Sequence, residues 1–370
     1  MTSPSPAGGA SGPGLPDVPG ILSAGDLAAT VASIAGHQLP NGMIQWFPGG
    51  HADPWNHVEA AMALALGGHV EAAERAYLWL SEIQLPDGSW YSYYLSDRVE
   101  DYRRDTNVTA YVATGLWFHT LATGDDSLLR RMWWVVERAM GFVTGMQWES
   151  GELCWSIDPD GALGTYALLT GSSSAYFSLR CAIAAAEHLG RERPDWELAA
   201  GRLAHAVAHR PEAFADKRRW AMDWYYPVLS GALTGAVART RLSERWAEFT
   251  MDGLGIRCVS DQPWVTAAET AECAMALDAA GMTDEAWSLL EWVQHLRCDD
   301  GSYWTGCVYP QAVPFPGGER STYTAAAVVL AANALAGEGP TAGLFRGVGL
   351  PSRLDLAEDL DEVAARDHEA

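Results

Sequence analysis

Two kinds of helical segment alternate along this 370-residue chain, and that alternation constrains its fold more than any other feature. Six segments open on a polar residue and continue as Ala-, Gly- and Leu-rich helices with little charge. They begin near Asp53, Asp105, Ser172, Asp223, Trp264 and Ser321. A helix that is apolar on every face must be covered on every face. Six amphipathic segments, with Arg and Glu on one side, stand between them and start near Ile21, His69, Asp126, Asp195, Arg239 and Thr283. Buried helices wrapped by amphipathic ones, repeating roughly every 40–65 residues, define a repeat architecture. The pattern predicts an all-α fold, an (α/α)6 toroid of six helical hairpins, over residues 21–337.

The connections have a polarity. Links from an inner to an outer helix are tight, as at Gly67-Gly68, Thr123-Gly124-Asp125 and Gly281-Met282. Several links from an outer helix to the next inner helix are long: 38–52, 84–104, 147–171 and 296–320. On a closed ring these loops share one rim with the N-termini of the inner helices, and long loops gathered on one face of a scaffold are where binding sites form.

Both ends depart from the pattern. Residues 1–20 are rich in Pro, Gly and Ser and read as a disordered arm, and 338–370 as an acidic, mobile tail. With 24 Lys+Arg against 47 Asp+Glu and a formal charge of −23, the chain lacks the basic surface that nucleic acid and anionic membranes require. No apolar run approaches the ~18 residues of a membrane span, and residues 1–20 show no signal-peptide pattern. The six cysteines have neither CxxC nor zinc spacing. These observations predict a cytoplasmic protein with no cofactor, no metal, no nucleic-acid partner and no membrane insertion; the sequence names no protein partner.

Seventeen Trp residues are far more than core packing needs. Indole and phenol rings around a concave mouth suit the C–H faces of a sugar, and carboxylates accept its hydroxyl hydrogen bonds. Glycoside cleavage needs two carboxyl groups, one protonated for the leaving oxygen and one ionised. A helix N-terminus lowers a carboxyl pKa and burial raises one, so a toroid mouth can supply both. The candidate catalytic acids are Asp105 and Glu269 first, then Asp53, Asp223 and Glu319; candidate substrate-binding residues are Trp46, Trp55, His57, Trp90, Tyr225, Trp264, Arg320 and Tyr323. Each acid at a helix opening also has a simpler role as an N-cap. Asp53 precedes Pro54, and Thr266/Glu269 and Asn56/Glu59 have capping-box spacing.

The stretch 105–147, DTNVTAYVATGLWFHTLATGDDSLLRRMWWVVERAMGFVTGMQ, resembles the corresponding hairpin of six-hairpin glycosidases, glucoamylase-like enzymes in particular. That resemblance implies an α/α toroid and carboxylate chemistry on a glycan, although no Trp-Glu-Glu opening matches the glucoamylase acid. Isomerases of the same scaffold use histidines, a role open here to His51 and His57. The motifs QLPNGMIQW (38–46), QLPDGSWY (84–91), QWESGELCW (147–155) and LRCDDGSYW (296–304) resemble the Q-x-x-x-G-x-W repeats of terpene cyclases and prenyltransferases, also α/α toroids. They imply an isoprenoid substrate as the alternative, but the D-x-D-D acid of the cyclases and the zinc ligands of the prenyltransferases are missing. A non-catalytic glycan-binding protein is the third reading. The substrate is in each case a small molecule or an oligosaccharide.

Overall fold

The computed structural model describes residues 14–352. Outer helices α1 (Ala24–Ala35), α3 (Val70–Ile83), α5 (Ser127–Gly145), α7 (Pro194–His209), α9 (Gly235–Glu244) with the short α10 (Trp246–Phe249), and α12 (Thr283–Trp292) alternate with six inner helices. The inner set is α2 (Pro54–Leu66), α4 (Thr106–Thr123), α6 (Leu169–His188), α8 (Ala221–Leu229), α11 (Ala267–Ala279) and α13 (Thr322–Ala336). The inner helices pack in the order α2, α4, α6, α8, α11, α13 and back to α2, closing the ring. Their burial follows from composition. In α4 nearly every side chain from Thr106 to Thr120 is buried, whereas α5 buries one face only. The fold is an all-α toroid.

The glutamine motifs fasten this ring. Gln38 donates through Nε2 to the carbonyls of Gly42 (3.0 Å) and Ala72 (2.8 Å), the latter on the next outer helix. Gln84 repeats this with Gly88 (2.9 Å) and Val135 (3.0 Å), and Gln147 with Gly151 (2.8 Å) and Ala199 (2.9 Å). Gly88 has a φ of +94°, and a Cβ there would lie 2.1 Å from the Arg138 carbonyl oxygen, so only glycine permits the contact. In the fourth motif Arg297 stands in place of glutamine and donates to the Asp26 carbonyl of α1 (3.1 Å), joining the last hairpin to the first. The repeats are thus structural fasteners between neighbouring hairpins.

Short strands tie the long loops together at the mouth. β1 (Tyr93–Tyr94) pairs with β2 (Val99–Asp101), and β3 (Arg104–Asp105) with β4 (Ser156–Ile157), which links the second and third loops. β5 (Thr250–Met251) pairs with β6 (Gly255–Ile256), while β7 (Trp264–Thr266), β8 (Gly306–Val308) and β9 (Val313–Phe315) form one three-stranded sheet.

Both ends differ in part from the sequence expectation. Of the arm expected over 1–20, residues 1–13 lie outside the described residues. Asp17 accepts the Ala24 N–H (2.8 Å) and Val18 is buried, so the arm's last residues prepare the start of α1. Of the tail expected over 338–370, residues 353–370 are likewise outside the described residues, but the preceding stretch is not loose. α14 (Pro340–Gly343) and the single 3-10 turn after it bury Leu344 and Phe345. Phe345 stacks on Phe177 at 5.3 Å, and Arg346 bonds Asp278 at 2.7 Å.

Candidate active site

At the mouth the inner-helix N-termini surround a cavity of about 470 Å³. Trp46, Trp55, Tyr93, Trp155, Trp220 and Tyr323 line its walls, and six carboxylates face it: Asp53, Glu59, Asp105, Asp223, Glu269 and Glu272. The volume is within the ~300–1,000 Å³ of small-molecule sites, and the mixture of rings and a few polar groups is typical of them.

The acids come from helix openings because side-chain capping and cavity lining occupy the same places. Asp53 caps α2, accepting the Asn56 N–H (3.1 Å) and Nδ2 (2.8 Å), and also takes the Trp46 indole N–H (2.8 Å). Burial raises its pKa and these donors oppose the rise. Asp105 caps α4 through the Val108 N–H (3.0 Å) and is held by the β3–β4 pairing. Burial lifts it to about 6 against the donors Val108, Trp155 and Asn107. Asp223 receives the Thr170 hydroxyl from α6 (2.7 Å) and is also raised by burial. Glu269, in the first turn of α11, is raised by burial, and Thr266 gives α11 no side-chain cap.

Ring order sets their mutual placement. Asp105 on α4 and Glu269 on α11 stand on opposite helices of the six, as do Asp53 on α2 and Asp223 on α8. The floor of the cavity carries two further acids, deeper along α2 and α11. Glu59 accepts the Trp55 indole N–H (3.0 Å) and the Tyr111 hydroxyl (3.2 Å), and Glu272 accepts the hydroxyls of Tyr225 and Tyr226 (2.7 Å to the latter). Burial and mutual repulsion push Glu59 above the usual carboxylate range, and burial does the same to Glu272.

Several expected site residues lie elsewhere. His57 is in the core, where its Nδ1 accepts the Ile44 N–H (3.1 Å) and its Nε2 meets the Ala76 carbonyl (3.0 Å). Trp90 is fully buried and donates to the Leu80 carbonyl (2.8 Å), a wedge in the scaffold instead of a cavity wall. Tyr225 is also fully buried and reaches the site through Glu272 alone. Trp264 stacks on Phe315 at 5.1 Å, away from the mouth cavity. Glu319 and Arg320 line a separate cavity, where Arg320 binds Asp300 at 2.8 Å. His51 pairs with Glu100 at 2.8 Å. Asn56 and Glu59 form no capping box, since Asp53 is the cap.

Glu59 and Glu272 were absent from the expected set although a signal existed: an acid inside PWNHVEAAMALAL, and a second three residues after Glu269, on helices otherwise poor in charge. Trp155, Trp220 and Lys217, the sole lysine of the chain, were missed because their long loops have no periodicity. Among the described residues no group of His, Cys, Asp and Glu is arranged to hold a metal ion, and no helix is long and apolar enough to cross a membrane.

A helical toroid with carboxylates and aromatic rings at one mouth defines a carbohydrate-active enzyme of the glycosidase kind, and comparison with known proteins agrees. Solved structures resemble it in fold: a glycosidase (TM-score 0.66, 16% identity, 86% of this chain and 100% of that one), a D-mannose isomerase (0.64, 12%, 83% and 96%) and a rhamnosidase from Klebsiella oxytoca (0.58, 15%, 87% and 65%). At such identities they share the fold. No family model matches the sequence. Over 341 residues, 92% of this chain and 94% of the relative, it is 50% identical to the MMP endo-(1,4)-3-O-methyl-alpha-D-mannosidase of Mycolicibacterium hassiacum, and it belongs to that enzyme's family. The chain is therefore a glycoside-hydrolase-like enzyme with a sugar substrate, and the isoprenoid alternative is withdrawn, since its motifs act as scaffold fasteners.

Proposed function

We propose that this protein cleaves internal α-(1,4) bonds of a 3-O-methylated mannose polysaccharide. The observation that carries the reading is the aromatic-walled cavity with Asp105 and Glu269 on opposite helices of the ring. Each O-methyl group removes a hydroxyl that would need a hydrogen-bond partner on burial and adds apolar surface. Walls dominated by Trp and Tyr suit such a sugar better than a fully hydroxylated one.

In this mechanism Glu269 is the general acid, because burial raises its carboxyl above the ordinary range against the opposing donors Thr266 and its own backbone N–H. Its proton passes to the glycosidic oxygen as the C1–O bond breaks. Asp105, raised by burial to about 6 against the donors at its helix opening, is largely ionised at neutral pH and takes a proton from the water that attacks C1. A base that acts through water on the face opposite the leaving oxygen makes the inverted anomer the first-formed product. Asp53, Asp223, Glu59 and Glu272 accept hydroxyl and water hydrogen bonds, and Trp46, Trp55 and Tyr323 stack on sugar faces. Six free thiols support a reducing, cytoplasmic setting. The test is to incubate the protein with a 3-O-methylated α-(1,4)-mannan oligomer and with its unmethylated counterpart. New reducing ends from the first, and far fewer from the second, are expected; equal cleavage of both overturns the methyl-sugar specificity.

A further inference from the structure

A second cavity, of about 830 Å³, lies beside the mouth and separate from the proposed reaction centre. Neighbouring residues of the same two segments face the two cavities. Trp46 and Tyr323, packed at 4.8 Å, line the first, whereas Phe47, Glu319 and Arg320 line the second. The partition between them is firm. Thr322 donates its N–H to the Trp46 carbonyl (2.8 Å) and its hydroxyl to the Gln45 carbonyl (2.9 Å), locking the two segments together. The outer wall of the second cavity comes from α1, through Ala29, Ala32 and Ser33, with His37 just beyond the helix.

This cavity offers, with fewer groups, the apolar ring and carboxylate chemistry of the mouth. The half-buried Phe47 ring, beside Pro48 and Pro316, offers an apolar face, and Glu319, held by the Thr305 hydroxyl at 3.0 Å, offers a half-buried carboxylate. An enzyme that cuts inside a polymer must accommodate sugars on both sides of the bond it breaks, and the mouth cavity holds a limited number of them. We infer that the second cavity is a glycan subsite that seats further sugar units of the same polysaccharide chain after it crosses the Trp46–Tyr323 partition. This assignment rests on the glycosidase reading of the mouth.

The experiment measures kcat/KM for two 3-O-methylated α-(1,4)-mannan oligomers, one short enough to fill the mouth cavity alone and one several times longer. Wild type is compared with Phe47→Ala, which removes the stacking face, and with Ala32→Trp, which places an indole in the groove from an exposed helix position. The long-to-short ratio is expected to fall about fivefold or more in each variant. If wild type cleaves both oligomers and the ratio is unmoved in both variants, the subsite is overturned while the glycosidase reading stands. If wild type cleaves neither, the proposed methyl-mannan substrate falls and the subsite with it.

Discussion

The two ends of the toroid are made from the same inner helices and have opposite characters. At the mouth these helices begin, and their openings carry Asp53, Asp105 and Glu269, buried at a cost to the ionised forms. At the far end the helices finish in tight glycine turns, and the segment after α13 lies across them with Phe345 stacked on Phe177. Arg180 holds that segment by donating to the Pro351 carbonyl (3.2 Å). Between the two ends, a narrow void lined by Phe177, Leu229, Met275 and Phe345 runs beneath Glu59 and Glu272. One end thus concentrates groups that folding disfavours, and the other concentrates apolar contacts that folding favours. Chemistry and stability are divided along the axis.

The largest expected effect is at the mouth. Asp105→Asn and Glu269→Gln each reduce kcat by ~10²–10⁴-fold, the usual contribution of an acid or base, with melting temperatures near wild type. Steady-state kinetics beside thermal melts check this. A loss of only ~1 kcal/mol of stability with turnover intact makes the residue a helix cap and nothing more.

The next largest is at the closed end, and of the other kind. Phe345→Ala leaves a hole against Phe177 and costs ~3 kcal/mol of stability or more, read from denaturant unfolding. Turnover per folded molecule at low temperature stays within about twofold, since no catalytic group moves. A large fall in kcat with stability preserved would erase the division between the ends.

The third is the pH dependence that follows from burying acids. Asp105 is raised to about 6 from an unfolded value near 4, so the folded protein holds that proton more tightly than the unfolded chain. Its contribution to stability is therefore complete below the unfolded pKa and is lost as pH rises through about 6. Wild type is expected to be more stable at pH 5 than at pH 8, by ~1–2 kcal/mol. Asp105→Asn, which still caps the helix, flattens that slope. The same titration gives kcat/KM an acid limb near pH 6, where the base gains its proton. A stability curve that rises from pH 5 to 8 contradicts the assignment.

The smallest effect belongs to the walls. Trp220→Ala removes one stacking face of the cavity and raises KM by about fivefold, with kcat changed less.

The sequence revealed the scaffold better than the site, for physical reasons. Inner helices announce themselves because covering a helix on all sides excludes charge, as in STYTAAAVVLAANALAG. The start of α2 was legible from Asp53-Pro54, since Asp and Pro fit the cap and first turn. The segment 340–352 was not, because its burial depends on isolated residues such as Phe345 with no repeating pattern. In the site, an acid at a helix opening is visible from position alone, but an aromatic residue is not assigned by its type. Trp90 and Trp155 both follow an outer helix, yet one wedges into the core and the other faces the cavity. The inner-ring acids Glu59 and Glu272 needed the tertiary partners Tyr111, Tyr225 and Tyr226, each on another helix, to be seen as part of the floor.

The most direct test of the account is the size distribution of the earliest products from a long 3-O-methylated α-(1,4)-mannan, separated by chromatography with wild-type protein. Cleavage within the chain at an open mouth predicts oligomers of intermediate length from the first time points, formed at least ~10²-fold more slowly with Glu269→Gln. Release of single sugars from one end, an intact polymer, or the same products at the same rate from Glu269→Gln would contradict it.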